Sequence, residues 1–191
     1  MTFDLTGKLL ISTPAMGDRR FTHSVIYLCA HGSEGAFGLV LNRPLPHLAL
    51  GDVLQQIGIE DAGDGYRGLA ETPVLSGGPV ETQRGFVLHV AGGDEDPSAQ
   101  PLPGGLMLNA STDVLRAIAA GTGPDQWLLA LGYAGWGPGQ LEAEIGQNAW
   151  LTATASHALI FDNAPGEHQW NGALRSMGVD PVSLSAVAGR A

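Results

Sequence analysis

A chain of 191 residues, 44% hydrophobic, is long enough to bury one core and short for two, so residues 1–191 are expected to form a single domain. Nine Lys+Arg against nineteen Asp+Glu leave a formal charge of -10, which repels phosphate backbones and anionic lipid and argues against direct nucleic-acid binding. The lone Cys29 cannot close an internal disulfide, the first residues lack a secretory pattern, and apolar runs of about 4–6 residues fall far short of the roughly 20 a membrane-spanning helix needs; a cytoplasmic protein is expected.

In chain order, three short apolar strands open the sequence: Lys8–Ser12, Ser24–Cys29 and Ala36–Leu41. The link between the second and third, Ala30 to Gly35, is too short for a parallel crossover, so these two form a hairpin and the sheet starts antiparallel. Leu50–Ile57 places Val53, Leu54 and Ile57 on one helical face, with Gly58 as a stop. Pro73–Ser76 and Phe86–Val90 read as strands on either side of a Gly-Gly-Pro turn, and Ala91–Gln100 is polar enough to be a surface loop, the segment expected to move most.

Leu106–Asn109 is a further strand, after which Ser111 or Thr112 can cap a helix with Val114, Leu115, Ile118 and Ala119 on one face, ending near Gly121. Trp127–Tyr133 reads as a buried strand, Ala134–Gly139 as a loop, and Gln140–Gln147 as a helix with Leu141 and Ile145 inward. Trp150–Thr154 and Ala158–Phe161 read as strands, and Pro165–Met177 as a last helix stopped by Gly178. Strands that do not alternate strictly with helices favour α+β over a doubly wound sheet.

Chemistry-bearing residues are sparse. The segment Gly132–Ile145 carries four glycines and Pro138 ahead of a helix, which can converge backbone amides on an anion, but it has neither the Gly-Lys-Ser/Thr of a P-loop nor the spacing of G-x-G-x-x-G. Gln140, Glu144 and Asn148, at i, i+4 and i+8, would share one polar helical face. Cys29 and His31, at i and i+2 on a continuing strand, would share a face and permit a thiolate–imidazole pair. Asn42-Arg43-Pro44 and Ser76-Gly77-Gly78-Pro79 make two tight corners that can rim a site. The six histidines fall in no zinc-binding spacing, His31 with Glu34 supplies at most two ligands, and no G-x-S-x-G elbow is present, so no metal, cofactor or catalytic set is expected.

The ordered set Pro14-Ala15-Met16-Gly17-Asp18, Phe21, Ser24-Val25, Gly35 to Pro44, Gly77-Gly78-Pro79 and Gly132 to Leu141 with Glu144 and Asn148-Ala149-Trp150 resembles the YqgE/AlgH family of bacterial proteins across nearly the whole chain. Ala30 departs from the family pattern, in which an acidic residue often precedes the histidine. The resemblance implies a bifurcated, mostly antiparallel sheet forming a barrel-like core with peripheral helices. It supplies no mechanism, and the family's regulatory label rests on effects on gene expression. The function expected is therefore a non-catalytic module that binds a small molecule or another protein through Asn42, Arg43, Gly77, Gly78, Pro79, Gly135, Trp136, Gln140 and Glu144. The alternatives are an enzyme with Cys29 as nucleophile and His31 as base, and a transcriptional regulator acting indirectly rather than on DNA.

Overall fold

Apolar side chains at every position of Val25–Cys29 leave no solvent face for a two-residue repeat, so a strand there has to be covered on both sides. The computed structural model, which describes residues 4–59, 68–92, 96–161 and 165–184, meets that demand. β2 (Val25–Gly32) lies between β1 (Lys8–Ser12) and β3 (Gly35–Val40), antiparallel to both. Val25, Tyr27 and Cys29 join Leu9, Ile11 and Trp170 in one buried cluster, whereas Ile26 and Leu28 join Leu10, Trp136 and Trp150 in another.

After β4 (Pro44–Ala49), α1 (Leu50–Gln56) and β5 (Pro73–Ser76), the chain runs through β6 (Val80–Val90), β7 (Gln100–Leu102), β8 (Leu106–Asn109), α2 (Thr112–Ala119) and β9 (Trp127–Trp136). It ends in α3 (Gln140–Gly146), β10 (Trp150–Thr154), α4 (His157–Ile160) and α5 (Glu167–Ser176). Among the described residues ten strands form one sheet whose main path is β10-β1-β2-β3-β9-β6-β8-β7. The fork sits on β9. One of its edges meets β5 in parallel at Ala130 and Leu131 and then β3 antiparallel from Ala134 to Trp136, while β6 pairs antiparallel with β9 at Val80 and again from Gly85 to His89.

Side chains from β1, β2, β3 and β6 through β10 share one buried cluster, which requires the sheet to curl on itself; Trp170, Ala173 and Leu174 of α5 pack against it. On the outer face of β5, β6 and β9, α1 and α2 cover Val74, Val87 and Leu129. The fold is thus α+β with a bifurcated, mostly antiparallel, barrel-like sheet and peripheral helices, as expected.

Several boundaries differ from the sequence expectation. Residues 134–136 are strand rather than loop, because Ala134, Gly135 and Trp136 pair with Gly38, Phe37 and Ala36. β6 begins at Val80, directly after Pro79, and its exposed first half carries none of the alternation that marks a strand. β4 was missed because Pro44, Pro46 and exposed positions mask it, and it pairs with β5 only at its two ends.

Residues 158–160 are helical, not strand: the Ser156 hydroxyl accepts from Leu159 N at 3.3 Å and starts a single turn, which a four-residue apolar run does not distinguish from a strand. The surface loop expected over 91–100 gives way to β7 at Gln100, and its centre, residues 93–95, lies outside the described residues.

Candidate functional site

Two glycine corners position the site. Gly77 donates to Leu131 O at 2.8 Å and accepts from Val40 N at 2.9 Å, which pins the turn between β5 and β6 across the fork of β9. Gly78 (φ 152°) and Gly132 (φ 73°) lie so close that a Cβ on Gly78 would collide with the Tyr133 carbonyl and one on Gly132 with the Gly78 carbonyl. This contact sets Pro79 and Val80 beside Gly135 and Trp136. Together with the loop Ala15–Phe21 and with Gln140 and Glu144 of α3, they line a concavity of about 420 Å³. A second hollow of about 170 Å³, lined by Arg43, Ser76, Gly78 and Thr82, shares Arg20, Phe21 and Pro79 with the first, so the two adjoin.

Glu144 organises the groove floor. Its Oε2 accepts from Trp136 Nε1 at 3.0 Å and from Trp150 Nε1 at 2.8 Å, and its Oε1 accepts from Gln140 Nε2 at 2.9 Å. Gln140 Oε1 in turn accepts from Gly137 N at 3.0 Å, so an amide offered as anion donor at the start of α3 is already engaged. Trp136 and Trp150 meet edge to face at 6.0 Å, and Phe21 meets Trp150 in the same way at 5.7 Å. α3 stops at Gly146 and Asn148 turns to φ 59°, so Asn148 does not extend the polar face of Gln140 and Glu144.

The loop that closes the groove is held by Arg43, whose guanidinium donates to Arg20 O and, at 3.1 Å, to Thr22 O. Within that loop Arg20 clasps Asp18, and this ion pair with its hydrogen bonds draws the Asp18 carboxyl below its ordinary range.

Five of the nine expected binding residues, Pro79, Gly135, Trp136, Gln140 and Glu144, therefore line the larger concavity, and Arg43 and Gly78 line the adjoining hollow. Gly77 serves the backbone contact at the fork. Asn42 does not reach the groove. It is 6% exposed; its Oδ1 accepts from Val25 N at 2.9 Å and its Nδ2 donates to His23 O at 2.7 Å and Gly166 O at 3.0 Å, tying β2 to the approach of α5. Met16, Asp18, Arg20 and Phe21 were missed as groove residues. Their sequence signals were the basic doublet Arg19-Arg20 and the motif Pro14-Ala15-Met16-Gly17-Asp18 with Phe21 that carries the family resemblance, neither of which says what the loop packs against.

Cys29 and His31 do not pair. The β2–β3 register slips between Leu28 and Ala30, so the two-residue alternation breaks at Cys29. The thiol is 1% exposed inside the barrel cluster, and burial pushes it up to about 12. His31 turns toward α3 instead. Its Nδ1 accepts from Leu5 N at 3.2 Å, which leaves Nε2 as the donor to Glu142 Oε1 at 3.2 Å. Glu34, the other ligand considered with His31, accepts from Ser33 Oγ, and no group of three or more His, Cys, Asp or Glu placed to hold a metal occurs among the described residues.

A family model described as AlgH-like matches residues 9–182. The chain belongs to the AlgH-like family. Among AlgH-like relatives, a UPF0301 protein of Beijerinckia indica is 52% identical over 190 residues, covering 98% of this chain and 92% of its own. A UPF0301 protein of Paracoccus denitrificans is 46% identical over 190 residues, with 98% and 97% covered. The solution structure of the AlgH protein from Pseudomonas aeruginosa matches with a TM-score of 0.79 at 44% identity, covering 100% of this chain and 98% of that one. The X-ray structure of protein DIP2367 from Corynebacterium diphtheriae shares the fold at 23% identity, with a TM-score of 0.68 over 90% of this chain and 86% of the other.

Proposed function

We propose that this AlgH-like chain is a non-catalytic binding module whose groove receives a small molecule or a segment of another protein. The observation that carries this reading is the engagement of Glu144: both of its carboxylate oxygens accept hydrogen bonds, from Trp136, Trp150 and Gln140, so this acid of the groove floor is committed to shaping the surface. Apolar Met16, Phe21, Pro79 and Val80 supply contact area, and Gln140 and Gln147 supply amide groups around it. The buried, protonated Cys29 thiol favours this reading over a cysteine nucleophile. With a formal charge of -10, regulation by this protein would run through a bound ligand or protein partner and not through DNA. An unpaired cysteine suits the reducing cytoplasm as its place of action.

The test is capture from a cytoplasmic extract, paired with a metabolite screen, using the native chain and Val80→Lys. Val80 is 37% exposed on the groove wall, so this change obstructs the groove without touching the core. The expected result is a ligand or protein retained by the native chain and lost from the variant at unchanged melting temperature. Equal retention by both, or no retention by either in both screens, would reject the reading.

A further inference from the structure

Away from the groove, β6, β8, α2 and the segments that follow β6 and α2 enclose a second cavity of about 290 Å³, at the small end of the range for ligand pockets. None of the nine expected binding residues lines it. His89 and Met107, register partners on β6 and β8, stand together with Asn109 on the sheet side, and Val114 and Ala117 of α2 form the opposing wall. We propose that this cavity is a binding site for a small organic cation, an amine or amidinium on a flat apolar body, whose N–H donates to His89.

Three observations select that chemistry. First, His89 is 8% exposed and its Nδ1 lies 2.8 Å from Val90 O. A carbonyl only accepts, so Nδ1 carries the proton and, in the neutral ring, Nε2 is an acceptor. That Nε2 is buried without a partner, a state that calls for a bound group to complete it.

Second, the neighbouring polar groups are satisfied. Asn109 Nδ2 donates to Asp96 Oδ2 at 2.9 Å and Asn109 Oδ1 accepts from Ser111 N at 2.7 Å. Asp96 also accepts from Ser111 Oγ at 2.6 Å and from Ser98 N and Oγ at 2.8 and 2.7 Å. The imidazole is therefore not awaiting a rearrangement of its neighbours.

Third, the charged lining residues are Asp96 and Asp113, with no Lys or Arg among the described ones. The hydrogen bonds on Asp96 hold its carboxyl far below the usual range and keep it ionised, which favours a cation and opposes an anion. Met107, Val114, Ala117 and the two prolines leave the rest of the lining apolar, suited to a flat hydrocarbon body.

Benzamidine is the probe, with benzoate as the same body of opposite charge. Methyl resonances of Met107 and Val114 and the His89 ring nitrogens are followed on titration of the full chain. The expected result is saturable benzamidine shifts at all three residues, affinity for benzoate weaker by roughly tenfold or more, and a similar loss of benzamidine affinity in Ala117→Leu. Ala117→Leu fills the cavity from a helix that tolerates leucine well, and its amide spectrum verifies the fold. His89→Phe, which removes the acceptor, is expected to lose affinity to the same degree. The proposal is overturned if millimolar benzamidine gives no saturable shift (a buried water only), if benzoate binds as well, or if both variants bind benzamidine unchanged.

Discussion

Glu144 and Trp150 are joined by a 2.8 Å hydrogen bond from a 2% exposed indole to a carboxylate oxygen that also holds Trp136. A charged acceptor serving two indoles strengthens each bond, and its removal leaves the Trp150 N–H buried with nothing to donate to. Glu144→Ala is therefore expected to lower unfolding free energy by about 2–4 kcal/mol in urea titration, with a change in tryptophan emission of the folded state. Glu144→Gln keeps one acceptor oxygen but loses the charge, and should fall between the two. A loss under about 0.5 kcal/mol for Glu144→Ala would show that the clasp contributes nothing.

Trp150 is the largest fully buried side chain of the described residues, wedged between Phe21 and Trp136. Truncation to alanine removes that packing and strands Glu144, so Trp150→Ala should cost about 3–5 kcal/mol. Because both changes act on one contact, the double variant with Glu144→Ala is expected to cost less than the two single losses together. Strict additivity in the double-mutant cycle would count against the shared network.

Cys29 gives a pH prediction. Its folded thiol ionises at about 12 against an ordinary 9.0, so above pH 9 the unfolded chain has released a proton that the native chain still holds. Stability is then full below pH 9 and declines as pH rises from 9 toward 12, by at most about 1.4 kcal/mol per pH unit from this group. Tyr27, raised by burial from 10.0 to about 12, adds to the same alkaline decline above pH 10. Native-state alkylation near neutral pH should be negligible and appear only on unfolding. Rapid labelling of the folded chain at pH 7.5 would instead restore Cys29 as a nucleophile candidate.

How far the sequence discloses this molecule depends on whether a feature is local. β1, β2 and β3 are legible because both of their faces are buried, so apolar residues run without a gap and the short link after β2 permits only a hairpin. Gly78 and Gly132 announce close backbone contacts but not that they contact each other. The groove wall from Met16 to Phe21 stays hidden because nothing within that loop encodes its seat beside residues more than a hundred positions away, where the Thr13 hydroxyl donates to Asn148 O. Cys29 and His31 mislead for a related reason. A single-residue bulge reverses the facing of every later side chain, and no local pattern near Ala30 reveals it.

The fork itself supplies the last prediction. At Gly78 an alanine meets both an unfavourable φ of 152° and the Tyr133 backbone, which belongs to the central strand and has no room to retreat. Gly139 has φ 73° but open space around its Cβ position. Gly139→Ala should therefore cost only conformational strain, about 1–2 kcal/mol, with the groove intact. Gly78→Ala should cost that strain plus separation of the β5–β6 turn from β9, enough to lower the yield of folded protein or to unfold at markedly lower urea. Circular dichroism melts of the two variants side by side separate the effects. Equal melting temperatures would mean that the fork tolerates opening, and that backbone proximity at Gly78 and Gly132 is not what sets Pro79 beside Trp136.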